Sequence, residues 1–126
     1  MSEDLQKKLQ SELTSFKTVQ KELQKAISTR QQLDGQLNEN EIVKTELNIL
    51  PADGKVFKSV GPVLIKTELV EAKENVSKRI DYINKELNKV DGLIGTLEKK
   101  QDAHRESLQK YQQQLQQAQV KAALHS

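Results

Sequence analysis

The sequence contains no cysteine and no tryptophan, and only two prolines in 126 residues. Without cysteine there is no disulfide framework, no thiolate metal site and no cysteine nucleophile; the absence suits a reducing compartment. Aromatic residues are scarce: Phe16, Phe57, Tyr82 and Tyr111. The chain is 35% hydrophobic and 30% charged, with a mean hydropathy of -0.72. So few large apolar groups cannot fill a conventional globular core. No apolar run approaches the ~18 residues of a membrane-spanning helix. The segment Met1-Ser2-Glu3-Asp4 is acidic and leads into no hydrophobic stretch, so no secretory signal is expected.

An excess of one charge is also missing. Twenty basic residues against eighteen acidic ones give a net charge of +2, and the pI of about 8.8 reflects a near balance. The signs are interleaved. A nucleic-acid binder calls for a concentrated basic face, and a membrane-surface helix for a basic face opposite bulky apolar residues. Neither partner is expected.

What the sequence does have is Leu, Ile and Val at regular spacing, which argues against disorder. From about Glu3 to Leu50 the pattern reads as one helix. Leu9, Leu13, Phe16, Gln20, Leu23, Ile27 and Arg30 fall at alternating steps of four and three, a heptad rhythm. It restarts at Leu33 and runs through Leu37, Asn40, Lys44 and Leu47, so a stammer-like phase slip is expected near Arg30. Ser2 is the expected N-cap, with Glu3 and Asp4 in the first turn. Gly35, inside this helix, marks a soft or closely packed point.

Pro51 and Asp53-Gly54 end the helix. Two β-branched runs follow, Lys55 to Val60 and Val63 to Thr67, around Gly61-Pro62. This is a hairpin signal. With Gly61 and Pro62 as the loop, Val60 faces Val63. Val56, Val60, Val63 and Ile65 then share one face, and Phe57 and Leu64 the other. An isolated two-stranded hairpin is marginal in water and its edges invite further strands. Its partners are expected in other subunits, with Val56, Phe57, Val60, Gly61, Pro62, Val63, Leu64 and Ile65 as the assembly residues.

From about Leu69 to Ala123 a second helix is expected. Ile80, Ile83, Leu87, Val90, Ile94, Leu97, Gln101, His104, Leu108, Tyr111, Leu115, Ala118 and Ala122 alternate in steps of three and four without a break. Gly92 and Gly95 beside this seam form a hinge or are merely tolerated on a solvated face. The expected fold is therefore mainly α: a long antiparallel two-helix coiled coil joined by one β-hairpin, all in a single domain. The expected register sets Leu47 near Glu71, Ile27 near Val90, Leu13 near His104 and Leu9 near Leu108. Residues after about Leu115 then lack a partner, and Ala118, Val120, Ala122, Ala123 and Leu124 are exposed.

No catalytic constellation emerges. His104 is a seam position and His125 a terminal one. No His, Asp and Glu set has metal-ligand spacing, and Gly92-Leu93-Ile94-Gly95 lacks the context of a phosphate loop. Neither an enzyme nor a cofactor or metal site is expected. The tract Gln112-Gln113-Gln114-Leu115-Gln116-Gln117 suits a helical surface of low charge, since the apolar seam continues through it.

Two segments carry a resemblance. One is Arg30-Gln31-Gln32-Leu33 with Gln36-Leu37-Asn38-Glu39-Asn40, Val43 and Glu46-Leu47. The other is Val56-Phe57-Lys58, Gly61-Pro62-Val63-Leu64, Lys66, Glu68-Leu69, Glu71-Ala72-Lys73, Val76 and Lys78-Arg79-Ile80-Asp81-Tyr82-Ile83. In these segments, and in its order of helix, single hairpin and helix, the chain resembles the β-type prefoldin subunits. The resemblance implies a cytoplasmic, ATP-independent co-chaperone: a hetero-hexamer of α- and β-type prefoldin subunits. It implies that the hairpin joins an intersubunit β-barrel. It also implies that coiled-coil tips hold unfolded actin and tubulin and deliver them to the cytosolic chaperonin. The client-binding candidates at the tip are Leu5, Leu9, Leu13, Leu115, Ala118, Val120, Ala122 and Leu124; for Leu5, Leu9 and Leu13, ordinary seam packing is the alternative. A non-enzymatic coiled-coil scaffold or tether would share the seam but has no need of the hairpin.

Overall fold

The computed structural model describes residues 2–125, with the backbone alone for Ser2. The capping role expected of the Ser2 side chain thus lies outside the described residues. Helix α1 spans Ser2–Ile49, strand β1 Val56–Val60, strand β2 Val63–Thr67 and helix α2 Leu69–Leu124. The helices hold 48 and 56 residues, so the fold is mainly α with one hairpin, as expected. Glu3 and Asp4 occupy the first turn of α1, and Glu71 that of α2, where negative charge offsets the helix dipole. The α1 helix stops two residues before Pro51, whose ring bars helical geometry in the residue preceding it. There Gly54 N–H donates to the Pro51 carbonyl at 2.8 Å. A Cβ at Gly54 would lie 2.9 Å from that oxygen, so the turn needs glycine.

The chain forms two compact units. One comprises residues 1–28 and 92–126, the other residues 29–91. In the second, Leu47, Ala72 and Val76 form a buried cluster against which Val56, Leu69 and Ile80 pack. Ile83, Leu87 and Val90 are buried further along α2. In the first unit the buried residues are Val19, Ala26 and Leu97. No polar side chain is buried among the described residues. A two-helix seam is narrow, so most side chains keep one side in water.

The α2 seam follows the expected heptad. From Ile80 to Ala118 every expected member is buried or half-buried, and only Ala122 is exposed. The α1 seam differs. Val19 and Ala26 are buried, whereas their neighbours Gln20 and Ile27 are exposed. With Glu12 half-buried as well, the observed line runs through Leu9, Glu12, Phe16, Val19, Leu23, Ala26, Arg30 and Leu33. These steps alternate three and four without interruption, so there is no phase slip. Side-chain size misleads here: Ile27 is more hydrophobic than Ala26, yet Ala26 is the one buried on the seam and Ile27 is 39% exposed.

Leu47 packs with Ala72, next to Glu71, and with Val76, and Glu12, next to Leu13, reaches His104. A Cβ placed at Gly35, Gly92 or Gly95 meets nothing within 4 Å. Close packing therefore explains none of the three, Gly35 included.

Candidate functional site

Two surfaces stand out, each within one unit. The first is the hairpin. Strand β1 pairs antiparallel with β2, Val56 opposite Thr67 and Val60 opposite Val63. Gly61 has φ of +58°, and the ring of Pro62 holds its own φ near -65°. Positive φ followed by negative φ is the type II′ turn, which suits the right-handed twist of a two-residue hairpin. The pairing places Val56, Lys58, Val60, Val63, Ile65 and Thr67 on one face, and Phe57, Ser59, Leu64 and Lys66 on the other.

Only Val56 among the apolar strand residues is half-buried, against the Leu47 cluster. Phe57 is 55% and Leu64 67% exposed, and Val60, Val63 and Ile65 are also open to water. Ile42, Ile49, Leu50 and Val70 add further exposed apolar groups in the same unit. A shallow groove between hairpin and helices is lined by Val43, Leu47, Phe57, Val76 and Arg79, among others. The sheet has two strands only, so each strand offers a free edge to further backbone pairing.

The second surface is the open end of the other unit. An open groove is lined there by Asp4, Leu5 and Lys8 of α1. Across from them lie Gln113, Gln114, Gln116, Gln117, Ala118, Val120 and Lys121 of α2. The lining of the groove on α2 thus extends past Leu115 as far as Lys121, while residues 119–124 are exposed. Leu5, Leu9, Leu13, Leu115 and Ala118 are half-buried in or beside the seam. Of the residues expected at the tip, Val120, Ala122 and Leu124 are exposed.

Polar contacts in the seam are few. In one unit Arg30 donates from Nε to Asp91 Oδ1 and from Nη1 to Asp34 Oδ2, both at 2.6 Å. The hydrogen bond to Asp91 chiefly, then the charge of Asp34, pushes the Arg30 pKa above its ordinary value. Asn40 answers its own polar position by donating from Nδ2 to the Gln36 carbonyl at 2.7 Å. In the other unit His104 Nδ1 lies 2.5 Å from Glu12 Oε1, and the Arg105 guanidinium lies 5.9 Å from the centre of the Phe16 ring. His104 is held by one carboxylate on a half-exposed seam. No group of three His, Asp or Glu able to hold a metal ion occurs among the described residues. None of their helices is long and apolar enough to cross a membrane.

Sequence reasoning missed Val19, Ala26 and Glu12 on α1. The signal was present: all three lie on the strict three-four alternation that α2 displays.

Comparison with known proteins places these surfaces in context. The family model described as prefoldin subunit matches residues 3–121. Prefoldin subunit 6 of Mus musculus is 46% identical over 123 residues, covering 98% of this chain and 97% of the mouse protein. A probable prefoldin subunit 6 of Drosophila melanogaster is 49% identical over 112 residues, covering 89% of this chain and 90% of its own. Among solved structures, the crystal structure of the prefoldin beta subunit from Thermococcus strain KS-1 superposes with a TM-score of 0.59. Its sequence identity is 26%, with 87% of this chain and 90% of that one covered.

Proposed function

The chain belongs to the prefoldin subunit family, as a β-type subunit most like prefoldin subunit 6, and from that premise we propose how it works. It is one subunit of a cytoplasmic hetero-hexamer of α- and β-type prefoldin subunits, in a single prefoldin domain. The complex holds unfolded proteins, actin and tubulin among them, and delivers them to the cytosolic chaperonin. The action is non-enzymatic and uses no ATP, metal or cofactor.

The observation that carries this reading is the hairpin. Phe57, Val60, Val63, Leu64 and Ile65 are exposed on its two faces, and both strand edges are free. A two-stranded ribbon with this surface is stable only when other strands and side chains cover it. Hairpins of neighbouring subunits supply both by closing a β-barrel through Val56, Phe57, Val60, Val63, Leu64 and Ile65, with Gly61 and Pro62 holding the turn. A stand-alone scaffold or tether has no use for such a surface.

Holding is assigned to the open end of the other unit. Val120, Ala122 and Leu124 offer small apolar patches, and Leu5 and Ala118 extend them into the groove. Burial gains about 25 cal/mol per Å², so one patch is weak and several subunits must act together.

Native mass spectrometry tests the assembly. Co-expressed with the five other kinds of prefoldin subunit, the chain is expected in a hexamer in one copy. A monomer or homodimer that ignores those partners refutes the reading. Deletion of the residues after Leu115 tests the tip: client holding is expected to weaken while the hexamer persists.

A further inference from the structure

Four glutamines, Gln113, Gln114, Gln116 and Gln117, line the groove whose apolar part is Leu5, Ala118 and Val120. All four side chains are exposed, and none enters a side-chain hydrogen bond among the described residues. A carboxamide offers two N–H donors and an acceptor oxygen and carries no charge. Each peptide group, proline's aside, offers one donor and one acceptor, whatever side chain it bears. The two are complementary without regard to sequence.

The spacing agrees. Gln113 and Gln117 are four residues apart on α2, about 6 Å along the axis at 1.5 Å per residue. In an extended chain the backbone groups that point to one side recur every second residue, about 6.6 Å apart. A row of carboxamides along the helix therefore runs nearly in step with alternate peptide groups of an extended segment. A helical or sheet-bound segment has already paired these groups. The charged residues of the lining, Asp4, Lys8 and Lys121, are of both signs, so charge is at most a weak criterion beside the four carboxamides.

We infer that this groove reads the backbone of an extended, non-native polypeptide segment. The glutamine rim hydrogen-bonds its peptide groups, while Leu5, Ala118 and Val120 receive its small apolar side chains. This rests on the tip-holding reading given above and adds a selection rule: unpaired backbone, not apolar area alone, marks the client. Each such bond replaces one to water, so the net gain is modest, which suits a grip that has to release.

The test uses the chain assembled with wild-type partner subunits and a labelled, reduced and carboxymethylated polypeptide, with binding followed by fluorescence anisotropy. The combined variant Gln113→Ala, Gln114→Ala, Gln116→Ala and Gln117→Ala removes the carboxamides. It keeps the helix, because Ala has the highest helix propensity, and it makes the rim more apolar. Binding is expected to weaken by about threefold or more, the equivalent of one lost net hydrogen bond. Unchanged or tighter binding overturns the inference, since a purely apolar grip gains from the substitution. The pair Gln113→Ala and Gln117→Ala repeats the measurement with a smaller change to the surface and is expected to weaken binding in the same direction. The deletion after Leu115, run alongside, separates the two claims. If the deletion weakens binding and the alanines do not, the rim has no such role and the tip keeps its own; if neither weakens it, both fall.

Discussion

The hairpin and the open groove both expose apolar groups, but of different kinds. The hairpin shows large side chains, Phe57, Leu64 and Ile65, on a backbone fixed by cross-strand pairing and a glycine-proline turn. The groove end shows small or isolated ones, Ala118, Ala122, Val120 and Leu124, among uncharged glutamines on a helix. Bulky groups on a stiff template demand a partner of matching shape and stay covered once they find it. Small groups among carboxamides accept many surfaces and hold none firmly. On the function proposed above, one chain carries a surface for lasting association and another for transient contact.

The sharpest way to separate them is to place a charge on the hairpin. Ile65→Asp or Val63→Asp buries an unpaired carboxylate in any barrel the hairpin joins, at a cost of several kcal/mol. Assembly is expected to be lost altogether, with the chain retaining its helical circular dichroism. A hexamer of normal mass on native mass spectrometry breaks the comparison at its first term.

Leu97 offers the opposite dissociation. It is 3% exposed, the most buried of the core residues in the structure. Leu97→Ala is expected to destabilise the helical hairpin by about 2–5 kcal/mol, at the lower end because a two-helix seam collapses easily around a gap. Assembly through strands β1 and β2 is expected to survive. Thermal unfolding read against native mass distinguishes the outcomes: loss of the hexamer with no fall in Tm is the reverse of what the structure requires.

The same contrast explains what could be read from the sequence. The hairpin's turn and faces were legible because their determinants are local: Gly61-Pro62 sets the loop and alternation sets the faces, although β1 begins at Val56 and not at Lys55. The α2 seam was legible because Ile80, Ile83, Leu87, Val90, Ile94 and Leu97 are bulky at every step. On α1 the seam passes through Glu12 and Ala26, while Leu13 and Ile27 stand next to it, so hydrophobicity points one residue astray. The groove lined by Gln113 and Gln117 depends on how the ends of two helices meet, which neither helix's own pattern states. Which residues an unfolded client touches is a property of two surfaces, and one chain's pattern carries only half of it.

A smaller effect is expected from Gly95→Ala. The added methyl meets nothing within 4 Å, so only backbone terms remain. Stability is expected to rise by about 1 kcal/mol, with assembly unchanged. Chemical denaturation checks the sign. A fall in stability would mean that the helix backbone near Thr96, whose hydroxyl donates to the Gly92 carbonyl at 3.1 Å, departs from regular helical geometry.

The smallest effect belongs to the groove end, and its smallness is the point. Val120 is 54% and Leu124 79% exposed, so replacing both by Ser removes little packing from the folded chain. Tm and hexamer mass are expected to stay where they are. Client holding is expected to weaken only about threefold, because each patch contributes little burial and several subunits share the load. The same pair of substitutions on the hairpin, Leu64→Ser with Ile65→Ser, is expected to cost assembly itself. If the groove pair instead abolished holding outright, affinity would rest on one anchored contact. The open end would then resemble the hairpin in kind, a fixed interface waiting for a defined partner.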